Sequence, residues 1–415
     1  MMKTMLTALA LAVLGGGVAA QGDTLAIRAR KVYLGDGVLE NALVVVRDGK
    51  ILAVGPASEV EIPEGATRAR AFAVTPGLID AASANALGGN RTPQESEVVP
   101  QYKVADVLDL RSTLMKNLAR EGVTSVFVTS SVEAVIGPQG AAVKTGTGPE
   151  SGRVLDAQGA PRMVMVSGPQ FGNQRPSRPE NVSDFTRAPL GPMGSVLVAR
   201  DAWMKAKGVR EARAAKLRVS PDPATAMLVD VLDGKRALRV VARDLGEINT
   251  AIRLSEEFGF RFTLEEAPEA WRALEALKRT KTPVVYGPVR AANVRQDSPF
   301  GFGIQSRAKE TRRFDSPRMI LDAGLPLALT AAGQTGDYGL VRQAMFAMRY
   351  GLTREEAVAA VTATPARLMG VAERVGTIAA GKDADLVLWT GEPFEATSRP
   401  ERVYIDGKAV EGRVF

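Results

Sequence analysis

The chain has 415 residues, 45% hydrophobic and 24% charged, with a formal net charge of +7. That length and mixture suit one large globular domain with a smaller companion. Cysteine and histidine are both absent, which excludes disulfides, thiolate nucleophiles and the two best soft-metal ligands.

Met1 to Ala20 reads as a secretory leader. Lys3 gives the positive start, Met5 to Leu14 the short apolar core, and Val18 and Ala20 the small residues before cleavage. The apolar run is short for a bilayer span. The expectation is an exported protein, periplasmic or secreted, with no membrane span after the leader is removed.

From Thr24 the chain is strand-rich. Short β runs at Leu25–Arg28, Ala42–Val46 and Ile51–Gly55 surround a tight turn at Asp48-Gly49. The far end repeats this pattern, with a strand at Ala384–Trp389 and then a hairpin around Asp406-Gly407. Two β segments at opposite ends predict one small β-sandwich assembled from both termini.

Between them lies VTPGLIDAASANALGG, Val74 to Gly89. It reads as a buried strand whose C-terminal end opens through small residues into a cavity. Strands and helices then alternate. Strands are expected at Gly122–Val128, Arg162–Val166, Leu238–Val241, Phe260–Leu264, Pro283–Tyr286 and Leu325–Thr330. Helices are expected at Leu245–Phe258, Ala267–Lys278 and Leu340–Met369, the last broken around Gly351. Repeated βα units favour an α/β fold, a (β/α)8 TIM-like barrel. About seven barrel strands can be placed; the eighth is expected between Gly168 and Val231. The boundaries are then 1–20 leader, 21–74 first half of the sandwich, 75–370 barrel and 371–415 second half.

Lys205, Lys207, Arg210, Arg213, Lys216 and Arg218 would line one helix surface. A solvated face is the simpler reading, and no aromatics interleave as stacking platforms, so nucleic acid is not an expected partner. The Lys144–Gly152 loop looks mobile. The Pro-, Gly- and Asn-rich loop Gly168–Gly194 reads either as a lid over a barrel mouth, with Arg175, Arg178 and Arg187 facing an acidic ligand, or equally as a solvated loop. Asp80, Glu265, Glu266 and Asp337 lie near expected strand ends and are weak candidates for a hard-cation site. Glu265 and Glu266 are adjacent on a strand, so they are expected on opposite faces. Ser306 and Lys309 match a serine–lysine nucleophile spacing but lack its companion motifs.

PGLIDA at Pro76, EGVTSVFVTSS at Glu121, GLPLALTA at Gly324, GLTREEAVAAVTATPARLMG at Gly351 and GKDADLVLW at Gly381 resemble the amidohydrolase superfamily, and most nearly its exported imidazolonepropionase-like branch. The resemblance covers nearly the whole chain after the leader. It implies metal-assisted hydrolysis of non-peptide C–N bonds, with zinc or another divalent ion lowering the pKa of a bound water and an aspartate taking its proton. The positions that would carry this chemistry hold other residues. The first-strand pair is Ala82 and Ala84, the fifth-strand pair Val241 and Arg243. The sixth-strand histidine position is Glu266, and the eighth-strand aspartate position is Ala332. With every traceable ligand replaced, no cofactor is expected. Arg243 and Glu266, on neighbouring strand ends, are expected to form a salt bridge in place of the ion. The functional expectation is a catalytically inactive homologue, a partner for an active amidohydrolase relative or a binder of a small molecule at the barrel mouth. The alternative is a C–N hydrolase with an atypical or metal-free site.

Overall fold

The computed structural model describes residues 24–87, 93, 95–146, 148–166, 168–169, 189, 191–289 and 313–411. The leader, Arg175, Arg178 and Arg187 of the expected lid, and the Ser306/Lys309 pair lie outside the described residues.

The chain opens with β1 (Thr24–Tyr33), β2 (Val38–Arg47), β3 (Lys50–Pro56) and β4 (Thr67–Pro76). Asp48 and Gly49 join β2 to β3 with φ of 51° and 77°. Two successive left-handed residues match the right-handed twist of the flanking strands, and Asp-Gly adopts them at little cost.

The barrel begins at β5 (Leu78–Ser83), followed by α1 (Thr113–Arg120) and β6 (Val123–Val128), parallel to β5. Next come β7 (Ile136–Gln139), β8 (Ala141–Lys144), β9 (Val154–Asp156) and β10 (Pro161–Val164). Helices α2 (Pro192–Ala214) and α3 (Pro223–Leu232) lead to β11 (Arg239–Ala242). Then α4 (Leu245–Phe258), β12 (Thr263–Glu266), α5 (Leu274–Thr280), β13 (Val284–Tyr286), α6 (Ser316–Asp322) and β14 (Leu327–Leu329) alternate. From β10 to β14 every pairing is parallel.

The eighth place in the wall is not where the sequence pointed. Between β6 and β10 it is filled by one run, Ile136 to Lys144, bent at Gly140. The β8 half pairs antiparallel with β6 and the β7 half antiparallel with β10. Of the span 168–231, residues 170–188 and 190 lie outside the described ones, and the rest is largely the helices α2 and α3. Gly140 is required at the bend, because a Cβ there would meet the Phe127 ring at 2.5 Å.

Helices α7 (Leu340–Arg349), α8 (Arg354–Ala360) and α9 (Ala363–Leu368) end the barrel. The expected capping box starts α8: Glu356 N donates to Thr353 Oγ1 at 3.2 Å and Thr353 N to Glu356 Oε2 at 2.8 Å. The single helix expected over 267–278 begins instead with a short 3-10 turn at Ala270–Arg272 before α5.

The last strands, β15 (Leu386–Trp389), β16 (Pro400–Ile405) and β17 (Lys408–Ala409), return to the start. They complete a seven-stranded sheet ordered β17-β16-β15-β4-β1-β2-β3. Ile27, Val44, Ile51, Val74, Leu386 and Tyr404 share one core, so the sheet curls over itself as a small sandwich built from both ends of the chain. Lys144 fixes it to the barrel. It is fully buried at the end of β8, with Nζ 2.8 Å from Asp383, 3.0 Å from Asp385 and 2.5 Å from Asp406. The head of the expected mobile loop is therefore a buried ion cluster.

Candidate functional site

Two strands, β10 and β11, place three arginines in the barrel. Arg162 on β10 and Arg239 on β11 are register partners and both buried. Arg243 follows β11 immediately. Its position is set by the capping box of α4, in which Asp244 Oδ1 accepts from Glu247 N at 2.8 Å. Glu247 Oε2 in turn accepts from the backbone N–H of Arg243 at 2.6 Å.

Two glutamates at the end of β12 answer them. Glu265 is fully buried. Its Oε1 accepts from Arg239 Nη1 at 2.5 Å and its Oε2 from Arg162 Nε at 2.8 Å. Glu266 accepts from Arg162 Nη2 at 3.2 Å and from Arg243 Nε at 2.7 Å. The expected Arg243–Glu266 bridge is present, with Nη2 also at 2.6 Å, inside a larger chain: Arg239, Glu265, Arg162, Glu266, Arg243. The expectation that neighbouring glutamates must face apart fails here. Glu266, the last residue of β12, has φ of 69°, so the alternation of an extended strand does not hold there; Arg162 reaches both carboxylates.

The remaining contacts fit cations held in a dry interior. Arg239 Cζ lies 3.8 Å from the centroid of the Phe127 ring. Its Nη1 also donates to Ala81 O at 2.6 Å, while Nη2 is buried without a hydrogen-bond partner. Arg162 Nη1 donates to Ser130 O at 2.8 Å. Burial pulls the Arg239 guanidinium below its usual pKa against the pull of Glu265. Burial works against the Glu266 carboxylate too, but Arg243 and Arg162 outweigh it and hold it below the usual range.

Asp80 on β5 serves the seam between β5 and β14, where no backbone ladder runs. It is fully buried and accepts from Thr330 Oγ1 at 2.5 Å, Ala331 N at 3.2 Å and Gly333 N at 2.8 Å. Burial, against these donors, raises its pKa to about 6.

The other family positions line this region without polar chemistry. Ala82 packs with Ala81, Val285 and Ala328, and Ala84 is half-buried just beyond β5. Val241 packs with Val164 and Val166. Ala332 has φ of 54° and donates its N–H to Thr330 Oγ1 at 2.9 Å. Asp337, the fourth weak candidate for a hard cation, stands apart: its side chain is 91% exposed, 3.9 Å from Arg342.

A divalent ion would need several oxygen or imidazole donors aimed at one point. Every oxygen of Glu265 and Glu266 already faces a guanidinium, and both oxygens of Asp80 accept hydrogen bonds. Among the described residues no group of three or more acidic side chains is arranged to hold a metal. The donor set does not fit a divalent ion. Arg162 and Arg239 were not singled out in the sequence, although an arginine inside an apolar strand run, as in Pro161–Val164 and Leu238–Val241, marks a cation that must find a buried partner.

Residues 293–410 match the family model described as the amidohydrolase family. The chain is 27% identical over 409 residues to the amidohydrolase tasK of Hapsidospora irregularis, with 91% of this chain and 40% of that protein covered. It therefore spans less than half of that relative's length. Against the imidazolonepropionase of Shewanella sp. (strain MR-4) it is 24% identical over 387 residues, covering 85% of this chain and 87% of that protein. A solved amidohydrolase from Thermotoga maritima MSB8 superposes with a TM-score of 0.79 at 26% identity, covering 94% of this chain and all of the other. Phenylurea hydrolase B, at 18% identity and a TM-score of 0.59, covers 94% of this chain and 97% of its own and shares the fold. By barrel, terminal sheet and sequence likeness together, this chain resembles the amidohydrolase superfamily, with imidazolonepropionases among the proteins it matches.

Proposed function

We propose that this chain is an exported, non-catalytic relative of the C–N hydrolases, in which guanidinium groups have taken over the cationic centre and the barrel binds rather than hydrolyses. The observation that carries the reading is Arg162, buried between two glutamates at 2.8 and 3.2 Å, with Arg239 and Arg243 on their far sides. Metal-assisted hydrolysis needs ligands for the ion and a base for its water. Ala82, Ala84, Val241 and Ala332 offer neither, and a guanidinium stays protonated and cannot act as a base. The apolar leader at Met5–Leu14 supports export. For the binding role, Arg243 and Glu266 remain 42% and 23% exposed, so a charged pair is within reach of a small molecule or of an active relative acting as partner.

The test is elemental analysis of the full chain after incubation with zinc and manganese and removal of the excess. No stoichiometric metal is expected. Stoichiometric metal that disappears in Asp80→Asn or Glu266→Gln would overturn the proposal and restore a carboxylate-built catalytic centre.

A further inference from the structure

Helix α2 is 23 residues long and buries Ser195, Ala199, Ala202, Trp203 and Ala206. These recur at three- and four-residue spacing, one face of a helix, and Trp203 stacks on Phe260 with ring centroids 4.5 Å apart. The outer face is not polar along its length. Met193 is 88% exposed, Leu197 58% and Met204 57%, with Leu217 just past the helix at 62%. These are the four most exposed large apolar side chains among the described residues. At 3.6 residues per turn, Met193, Leu197, Met204 and Gly208 fall within a sector of roughly 60°. Glycine inside a helix weakens it. A Cβ at Gly208 would meet nothing within 4 Å, so packing inside this chain does not require it. An exposed apolar stripe of this kind marks a contact surface, and a glycine within it lets another side chain come close.

The borders of the stripe decide what covers it. Asp201 and Lys205 are both exposed, one turn apart on the same border. On the other border, Arg200 is answered within the chain by Glu257 at 3.0 Å. When two copies of this helix run antiparallel about a two-fold axis near residue 203, like borders meet. Asp201 of each copy then faces Lys205 of the other. In the same register the two Met204 side chains lie against one another. Leu197 falls opposite Gly208, where there is room for it. A two-fold interface has to be self-complementary in this way.

We propose that the exposed face of α2 is the interface between two copies of this chain, packed as an antiparallel helix pair about Met204. This goes beyond the non-catalytic reading and does not depend on it.

The test uses the full chain in sedimentation velocity runs over a concentration series. A dimer is expected. Asp201→Lys alone and Lys205→Asp alone should each weaken it by roughly tenfold or more through like-charge contacts. The combined swap should restore it, which shows that neither single change merely unfolds the chain. Because the chain has no cysteine, Met204→Cys supplies a sole thiol. It should oxidise to a disulfide-linked dimer, whereas Glu401→Cys on β16 should not. A monomer at every concentration would overturn the proposal. So would a dimer that ignores both charge reversals and fails to cross-link at residue 204.

Discussion

Glu265→Gln should destabilise the protein by about 3–5 kcal/mol, the range for removing one partner from a buried ionic group. Glu265 is fully buried, and its two oxygens accept from different guanidiniums at 2.5 and 2.8 Å. Glutamine keeps the shape but brings one acceptor and a donating amide, so one arginine meets a donor. Three guanidiniums that share two carboxylates are left with one. A lost hydrogen bond to a charged group would account for only about 1.5–3 kcal/mol; the excess is the cost of a stranded buried cation. Urea unfolding followed by tryptophan fluorescence reads the loss as a shifted midpoint at constant slope. Glu265→Gln combined with Arg239→Met removes one of the stranded cations and should recover about half of the loss, a coupling expected of residues in one ionic network. A single-variant loss below about 1 kcal/mol, or a double variant equal to the sum of its singles, would refute the account of the centre as one coupled network.

Asp80 gives a pH signature. The folded chain holds this proton up to about pH 6 and the unfolded chain only to about 3.8. Its contribution to stability is therefore largest below pH 3.8 and falls as pH rises to 6, by about 3 kcal/mol in all. Asp80→Asn should flatten that part of the stability–pH curve, and an unchanged curve would contradict the assignment. Lys144→Met should destabilise by about 3–5 kcal/mol, because Asp383, Asp385 and Asp406 would lose their shared cation; a thermal melt of the variant checks this. Gly140→Ala pushes a methyl into the Phe127 ring and should cost about 1–3 kcal/mol, read in the same melt. Restoring ligands with Ala82→His, Ala84→His and Ala332→Asp together should still give no stoichiometric zinc, since Arg162, Arg239 and Arg243 keep the centre cationic; equilibrium dialysis that finds one zinc per chain would show that the arginines are no barrier.

The terminal sheet and the barrel class were legible because their signals are local: Asp-Gly turns, short β runs, and strands alternating with helices. The Arg243–Glu266 bridge was legible because neighbouring strands of a barrel end together. The wider network was not. Arg162 and Arg239 meet Glu265 across strands far apart in sequence, and Glu266 reaches the same arginine only because its backbone leaves the strand at a positive φ. The eighth wall segment escaped because it breaks the rule used to find the others: it is antiparallel, bent, and follows β6 with no helix between. Lys144 looked like the start of a mobile loop because its three partners lie near the other end of the chain.

The terminal sheet also sets an order of assembly. The edge of β4 is closed only by β15, which begins at Leu386, near the end of the chain. A chain emerging from its N-terminus would present β4 as an open edge while the entire barrel is made, and open edges recruit foreign strands. The ammonium of Lys144 likewise waits for Asp383, Asp385 and Asp406. The last few dozen residues thus act as the latch on the whole molecule, and a chain that loses them keeps neither a closed sheet nor a neutralised cation. Until the segment from Asp383 to Trp389 is made, a growing chain is expected to need protection of the β4 edge.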